Sequence, residues 1–192
     1  MFNIVLVNPE IPPNTGNISR TCAVTGTRLH LVRPFGFEIS DRTLKRAGLD
    51  YWKDLDVRYY DSFEELEAAY PDGRFFLTST HAKRSYADVE YKDGDFIVFG
   101  RETAGLGPEL LSRREKDTIR IPMLPNQRSL NLSNSAAIVL YEALRQILNT
   151  STSCPFSSAP SLKAATMAAV LPFTRGLPFK TMIFIGFSLF LI

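Results

Sequence analysis

Six short apolar runs alternate along this chain with segments that read as helices, and that alternation restricts the fold to a narrow class. The runs fall at residues 3–8, 28–32, 57–60, 74–78, 95–99 and 118–121. They are rich in Val, Ile, Leu and aromatic residues and are bounded by turn residues such as Asn8-Pro9 and Pro71-Asp72-Gly73, which marks them as strands. Between them, Asn14 predicts the N-cap of a helix ending near Gly26, and Ser40-Asp41 a short basic helix to Ala47-Gly48. Asp61 with Glu64 predicts a capped helix to about Tyr70, and Pro108 opens another to Arg114. A last helix starts near Leu132, with Ala136, Ala137, Leu140, Ala143 and Leu144 at helical spacing. Strands alternating with helices predict an α/β domain with a mostly parallel sheet and helices on both faces. In such sheets ligands bind at the carboxyl ends of the strands.

A chain of 192 residues with 45% apolar and 22% charged side chains can bury a core in one domain, or in a domain plus an appendage. Its formal charge of +2 is unevenly spread. Residues 1–146 hold 19 basic and 20 acidic side chains, a net of −1, and residues 147–192 hold only Lys163, Arg175 and Lys180. Bulk positive charge is therefore not how the body binds a partner. Cys22 and Cys154 are too few for a disulfide framework and lie in no zinc-like spacing, so neither a disulfide nor a metal is expected. The start, Met1-Phe2-Asn3-Ile4-Val5-Leu6-Val7, has no basic leader or small-residue cleavage site and reads as a strand, which places the body in the cytoplasm.

From residue 147 the text turns Ser/Thr/Ala/Pro-rich and acid-free, closing on a 12-residue apolar run from Thr181 to Ile192. Crossing a bilayer takes roughly 17–25 residues, so membrane contact is not expected. The division is a body at 1–146 and an atypical apolar tail at 147–192, read as packed on the body, disordered, or the product of a changed reading frame.

Common nucleotide motifs are missing. Gly100-Arg101-Glu102-Thr103-Ala104-Gly105-Leu106-Gly107 follows a strand as a phosphate loop would, but has Leu106 and Gly107 where Lys and Ser/Thr are required. No GxGxxG follows the first strand, which argues against a dinucleotide fold. Taken alone, the three glycines serve a close backbone approach or simply mark a turn.

Three stretches taken in order say more. Asn14-Thr15-Gly16-Asn17-Ile18-Ser19-Arg20 opens the first helix, and Val98-Phe99-Gly100-Arg101-Glu102-Thr103-Ala104-Gly105-Leu106 follows the fifth strand. Ile121-Pro122-Met123-Leu124-Pro125 through Ser129-Leu130-Asn131-Leu132-Ser133-Asn134 joins the sixth strand to the last helix. This set resembles the three motifs of the SPOUT superfamily of RNA methyltransferases. The stretches at 9–17 and 46–51 are similar to its tRNA (cytidine/uridine-34) ribose 2′-O-methyltransferases, and the likeness runs from Met1 to Gln146. It implies a trefoil knot near the end of the domain, S-adenosylmethionine as cofactor, a homodimer, and the wobble pyrimidine of the tRNA anticodon stem-loop as substrate. The alternatives are a relative acting on rRNA or another tRNA position, and a non-catalytic nucleotide- or RNA-binding module of the same fold.

Carried onto this sequence, the resemblance implies cofactor contacts at Thr78, Gly100, Ile121, Met123, Ser129 and Leu130, and a site containing Arg20, Asn17 and Glu102. Arg20 is assigned the central catalytic role, because a guanidinium fork can pair with a phosphate or orient the ribose hydroxyl. Outside that context a helix arginine is a solvated or salt-bridged side chain. Glu102 is read either as a surface acid or as a residue shaping the cofactor loop through hydrogen bonds. Asn131, Ser133 and Asn134 can cap the final helix, and Tyr141 is placed at the dimer interface. Arg42, Lys45 and Arg46, followed by Tyr51 and Trp52, form with Lys83 and Arg84 an RNA footprint whose alternative is a solvated helix face. His30, in an apolar strand, is structural, and His81 faces solvent or RNA.

Overall fold

The computed structural model describes residues 1–37 and 55–150. The basic segment with Arg42, Lys45, Arg46, Tyr51 and Trp52, and the tail from residue 151, lie outside the described residues. Six strands are found among the described residues: β1 (Asn3–Val7), β2 (Arg28–Val32), β3 (Val57–Tyr60), β4 (Phe75–Thr78), β5 (Phe96–Phe99) and β6 (Thr118–Ile119). They form one sheet in the order β3-β2-β1-β5-β4-β6, and each neighbouring pair is parallel. Among the described residues the α-helices are α1 (Pro12–Thr25), α2 (Phe63–Ala69), α3 (Pro108–Arg113) and α4 (Leu132–Thr150).

Side chains alternate across a strand, and the two cores follow that period. Ile97 and Phe99 of β5 join Ile4, Leu6, Leu29 and Leu31 in a cluster with Ile18 and Cys22 of α1 and Ala136, Val139, Leu140 and Ala143 of α4. Phe96 and Val98 point the other way, with Val5, Leu77, Phe63 and Leu66 of α2 and Leu106. Both faces are thus covered, as parallel sheets require. Each fully buried Leu- or Ile-sized side chain contributes about 1.5–3 kcal/mol.

His30 belongs to this framework. Asn3 spends its Nδ2 donating to the Gly94 carbonyl at 2.9 Å, which leaves its Oδ1 to accept from His30 Nε2 at 3.1 Å. Nδ1 then carries no proton and accepts from the Tyr60 hydroxyl at 3.2 Å. Burial first, then the Arg28 and Arg58 charges, push the His30 pKa down to about 3.

Several sequence boundaries are corrected. The first helix begins at Pro12 with Ile11 as its N-cap, not at Asn14. Proline has φ already set for a first helical position and no N–H to leave unbonded there, which frees Asn14 for another task. The second starts on Ser62, whose Oγ accepts from Glu65 N at 3.1 Å, while the Glu65 carboxylate accepts from Asp61 N at 2.6 Å. The β6 ladder ends at Ile119 because Arg120 turns its backbone to the 84–86 segment, donating to Arg84 O and accepting from Tyr86 N, both at 2.9 Å. Gly26 does end α1, in the left-handed conformation at φ 66°. Helix α4 runs to Thr150, four residues past Gln146.

Candidate active site

The loops that leave the carboxyl ends of the strands carry all three motifs. The loop after β5 is the tightest. Its backbone turns back on itself, with Arg101 and Gly105 paired and Gly105 N donating to Arg101 O at 2.8 Å. Gly105 sits at φ +65°, and a Cβ on Gly100 would stand 2.1 Å from the Gly105 carbonyl carbon and 2.2 Å from Leu106 N. A turn explains Gly105; a close backbone approach explains Gly100.

Glu102, at the tip of this turn, points at the start of α1. One carboxylate oxygen accepts from Glu10 N at 2.9 Å, and the other from Ile11 N at 3.2 Å and Asn14 Nδ2 at 3.0 Å. A carboxylate at a helix N-terminus is favoured by the unpaired N–H groups and the dipole there. Asn14 is buried and passes the connection on, its Oδ1 accepting from Asn131 Nδ2 at 3.0 Å. Asn131 in turn caps α4, its Oδ1 accepting from Ser133 N at 2.9 Å, Ser133 Oγ at 2.7 Å and Asn134 N at 3.3 Å. One hydrogen-bonded chain, Glu102–Asn14–Asn131, therefore ties the three motifs together. Of the two readings of Glu102, the loop-shaping one matches these contacts. Its oxygens hold backbone and amide donors, which is the geometry of a positioning group.

Asn17 and Arg20 follow Asn14 on α1 at intervals of three, and both are exposed. The cofactor candidates end or follow three adjacent strands. Thr78 ends β4 and donates its hydroxyl to Val98 O at 2.9 Å. Gly100 follows β5, and Ile121, Met123, Ser129 and Leu130 lie in the segment after β6. Ile121 and Met123 are half-buried, Ser129 and Leu130 exposed. Thr78, Gly100 and Ile121 stand at or just past the carboxyl ends of three neighbouring parallel strands, the place where ligands bind in open sheets of this kind. Among the described residues no group of His, Cys, Asp and Glu could hold a metal ion.

The other candidates are more scattered. Lys83 and Arg84 sit in the loop after β4; Lys83 Nζ lies 3.4 Å from Glu115, and Arg84 donates to Asp88 O at 3.0 Å. His81 is exposed nearby. Tyr141 is 55% exposed on α4, with Ile138 on the same helix and Val24 on α1 also exposed. Among the described residues no helix is long and apolar enough to cross a membrane.

The sequence pattern of the SpoU rRNA methylase family matches residues 1–141. The chain belongs to that family. A tRNA (cytidine(34)-2′-O)-methyltransferase of Methylovorus glucosotrophus (strain SIP3-4) is 51% identical over 147 residues, covering 76% of this chain and 96% of that protein. A solved structure described as giving structural insights into the 2-OH methylation of C/U34 on tRNA has a TM-score of 0.73 at 44% identity. It covers 78% of this chain and 97% of its own. The SpoU methyltransferase AviRb of Streptomyces viridochromogenes, solved with AdoMet, has a TM-score of 0.66 at 25% identity over 76% of this chain and 57% of its own. The parallel sheet with helices on both faces is thus the fold of SpoU methyltransferases.

Sequence reasoning did not single out Glu10, Thr103 or the bridging use of Asn14. Glu10 and Thr103 lie inside the quoted motifs, but their contacts join positions 93 residues apart, and local spacing carries no sign of such a pair.

Proposed function

We propose that this protein is an S-adenosylmethionine-dependent methyltransferase acting on the ribose 2′-hydroxyl of the pyrimidine at position 34 in the tRNA anticodon loop. The observation that carries this reading is 51% identity, over 96% of its length, to a protein named for that reaction, with all three motifs of this chain joined through the Asn14 amide.

The cofactor, when bound, supplies an electrophilic methyl group on a sulfonium. Thr78, Gly100, Ile121, Met123, Ser129 and Leu130 would hold it, through main-chain groups and apolar contacts in the segments that end or follow β4, β5 and β6. The acceptor oxygen needs to lie in line with that methyl, so positioning supplies much of the acceleration. Arg20 pairs with the phosphate next to the target ribose or orients its hydroxyl, a task suited to a fixed guanidinium fork. Asn17, one turn before it, faces the same nucleotide. Glu102 fixes the start of α1 against the cofactor loop. Arg42, Lys45, Arg46, Lys83 and Arg84 contact the anticodon stem-loop, a single-stranded target whose bases are open to recognition. The working unit is a cytoplasmic homodimer with Tyr141 in its interface, residues 1–146 form the catalytic domain with a knotted end, and the chain beyond residue 148 is not needed.

Nucleoside mass spectrometry of tRNA treated with protein and cofactor tests the reaction. Wild type forms 2′-O-methylcytidine or 2′-O-methyluridine at position 34, and Arg20→Ala lowers the rate at least about a hundredfold, the order expected when a reactant is misplaced. An unmodified position 34 with wild type refutes the substrate; equal rates refute the role of Arg20. Residues 1–148 alone should bind cofactor and dimerise.

A further inference from the structure

Glu10 has no part in the roles above, yet it meets the β5 loop twice. Its Oε2 accepts from Thr103 Oγ1 at 2.7 Å and from Thr103 N at 3.3 Å. Its own N–H donates the other way, to Glu102 Oε2 at 2.9 Å. Each loop thus lends a carboxylate to the backbone of the other, and displacing either one breaks bonds in both directions. Hydrogen bonds to an ionised acceptor are roughly twice as strong as neutral ones. Behind Glu10 the chain is also confined: Gly36 N donates to Pro9 O at 2.9 Å, and a Cβ on Gly36 would stand 2.8 Å from Glu10 Cα. The 8–11 loop is therefore held between the β2 loop on one side and Thr103 on the other.

The placement matters because the two loops lead to different ligands. Helix α1, with Asn17 and Arg20 on the RNA side, starts two residues after Glu10, and Gly100 on the cofactor side precedes Thr103 by three. We propose that Glu10 and Thr103 form a latch that keeps the acceptor-bearing helix in register with the donor-bearing loop, making Glu10 a positioning residue for methyl transfer. This rests on the function proposed above. A latch of this kind acts on the alignment of two bound ligands and not on the binding of either one. Its loss should lower kcat and leave the cofactor Kd and the RNA KM nearly unchanged, with about tenfold to a hundredfold at stake for a shift near 1 Å.

The experiment compares Glu10→Ala, Glu10→Gln, Thr103→Val, Thr103→Ser and the Glu10→Ala/Thr103→Val pair by steady-state methylation of an anticodon stem-loop RNA. AdoMet titration calorimetry and amide hydrogen exchange are measured on the same proteins. Glu10→Ala and Thr103→Val each lose about tenfold or more in kcat, with Kd and KM within about threefold. Glu10→Gln and Thr103→Ser, which keep an acceptor oxygen and a hydroxyl, stay within about threefold of wild type. The double variant is no slower than the worse single one, as expected of a single shared contact. The amides of Ile11 and Thr103 exchange faster in both single variants. Unchanged kcat in Glu10→Ala, a loss confined to Kd or KM, multiplying losses in the double variant, or faster exchange only in the substituted loop would each overturn the latch. The exchange measurement needs no substrate, so inactive wild-type protein would refute the proposed reaction while the latch is still decided by exchange.

Discussion

Replacing Gly100 by alanine tests whether the β5 turn owes its geometry to a backbone approach that no side chain permits. The added methyl would stand 2.1 Å from the Gly105 carbonyl carbon, 2.2 Å from Leu106 N and 2.4 Å from Gly105 O, where ordinary contact begins near 3.4 Å. All three neighbours are main chain, so no side chain can swing away, and the turn must retreat by about 1.3 Å. Two losses follow from that movement. Leu106, 4% exposed, is drawn out of the cluster it shares with Val98 and Leu77. The Glu102 carboxylate leaves the donors it holds at 2.9–3.2 Å on Glu10 and Ile11. Overpacking of this kind costs about 1–3 kcal/mol, and in a domain near 150 residues each kcal/mol lowers Tm by roughly 2–4 °C. The β5 ladder to β1 ends at Phe99, so the variant should still fold, melting roughly 2–12 °C lower and binding AdoMet at least about tenfold more weakly. Calorimetric titration and thermal melting read both effects. An alanine variant that binds AdoMet within about twofold of wild type and melts within about 1 °C of it would refute the reasoning, because both losses derive from the same 2.1 Å approach.

Two further expectations concern Glu102 and His30. Glu102→Gln must face three N–H donors with one oxygen, leaving at least one donor opposite an amide NH2. We expect a loss of about 1–3 kcal/mol in urea unfolding and at least about tenfold in methylation rate, and wild-type values for both would show that the carboxylate is dispensable. His30 has its pKa lowered from 6.5 to about 3 in the folded state, so the unfolded chain takes up a proton that the folded chain refuses. The stability from neutral His30 is therefore complete above pH 6.5 and is lost as pH falls through the window from 6.5 towards 3, with a slope approaching about 1.4 kcal/mol per pH unit. Urea midpoints at pH 7, 6 and 5 should fall in wild type and stay flatter in His30→Gln, and parallel profiles would remove His30 from the acid response.

The fold was legible because its signals are local. Val and Ile in β1, the Gly26 stop and the apolar spacing from Ala136 to Ala143 each act within a few residues, and the observed elements agree with them. The site was legible as three ordered motifs but not as contacts, because its bonds span 88 to 117 residues. Asn14 shows where local rules give way. By residue type it is a good N-cap, and as a cap it would accept from a backbone N–H with its side-chain oxygen. Proline at position 12 starts the helix earlier, and Asn14 then uses both ends of its amide, Nδ2 towards Glu102 and Oδ1 towards Asn131, each at 3.0 Å. The two roles differ in what aspartate would do there. A cap accepts aspartate as readily as asparagine. A bridge does not, since aspartate has no donor for Glu102 and sets a second negative charge against it in a buried position. Asn14→Asp should therefore destabilise the domain by about 1–3 kcal/mol at pH 7 and recover part of that loss as pH falls and one of the two facing carboxyls takes up a proton. A variant as stable as wild type at pH 7, or one whose deficit does not shrink on mild acidification, would remove the bridging role of Asn14 and with it the connection between the first and third motifs.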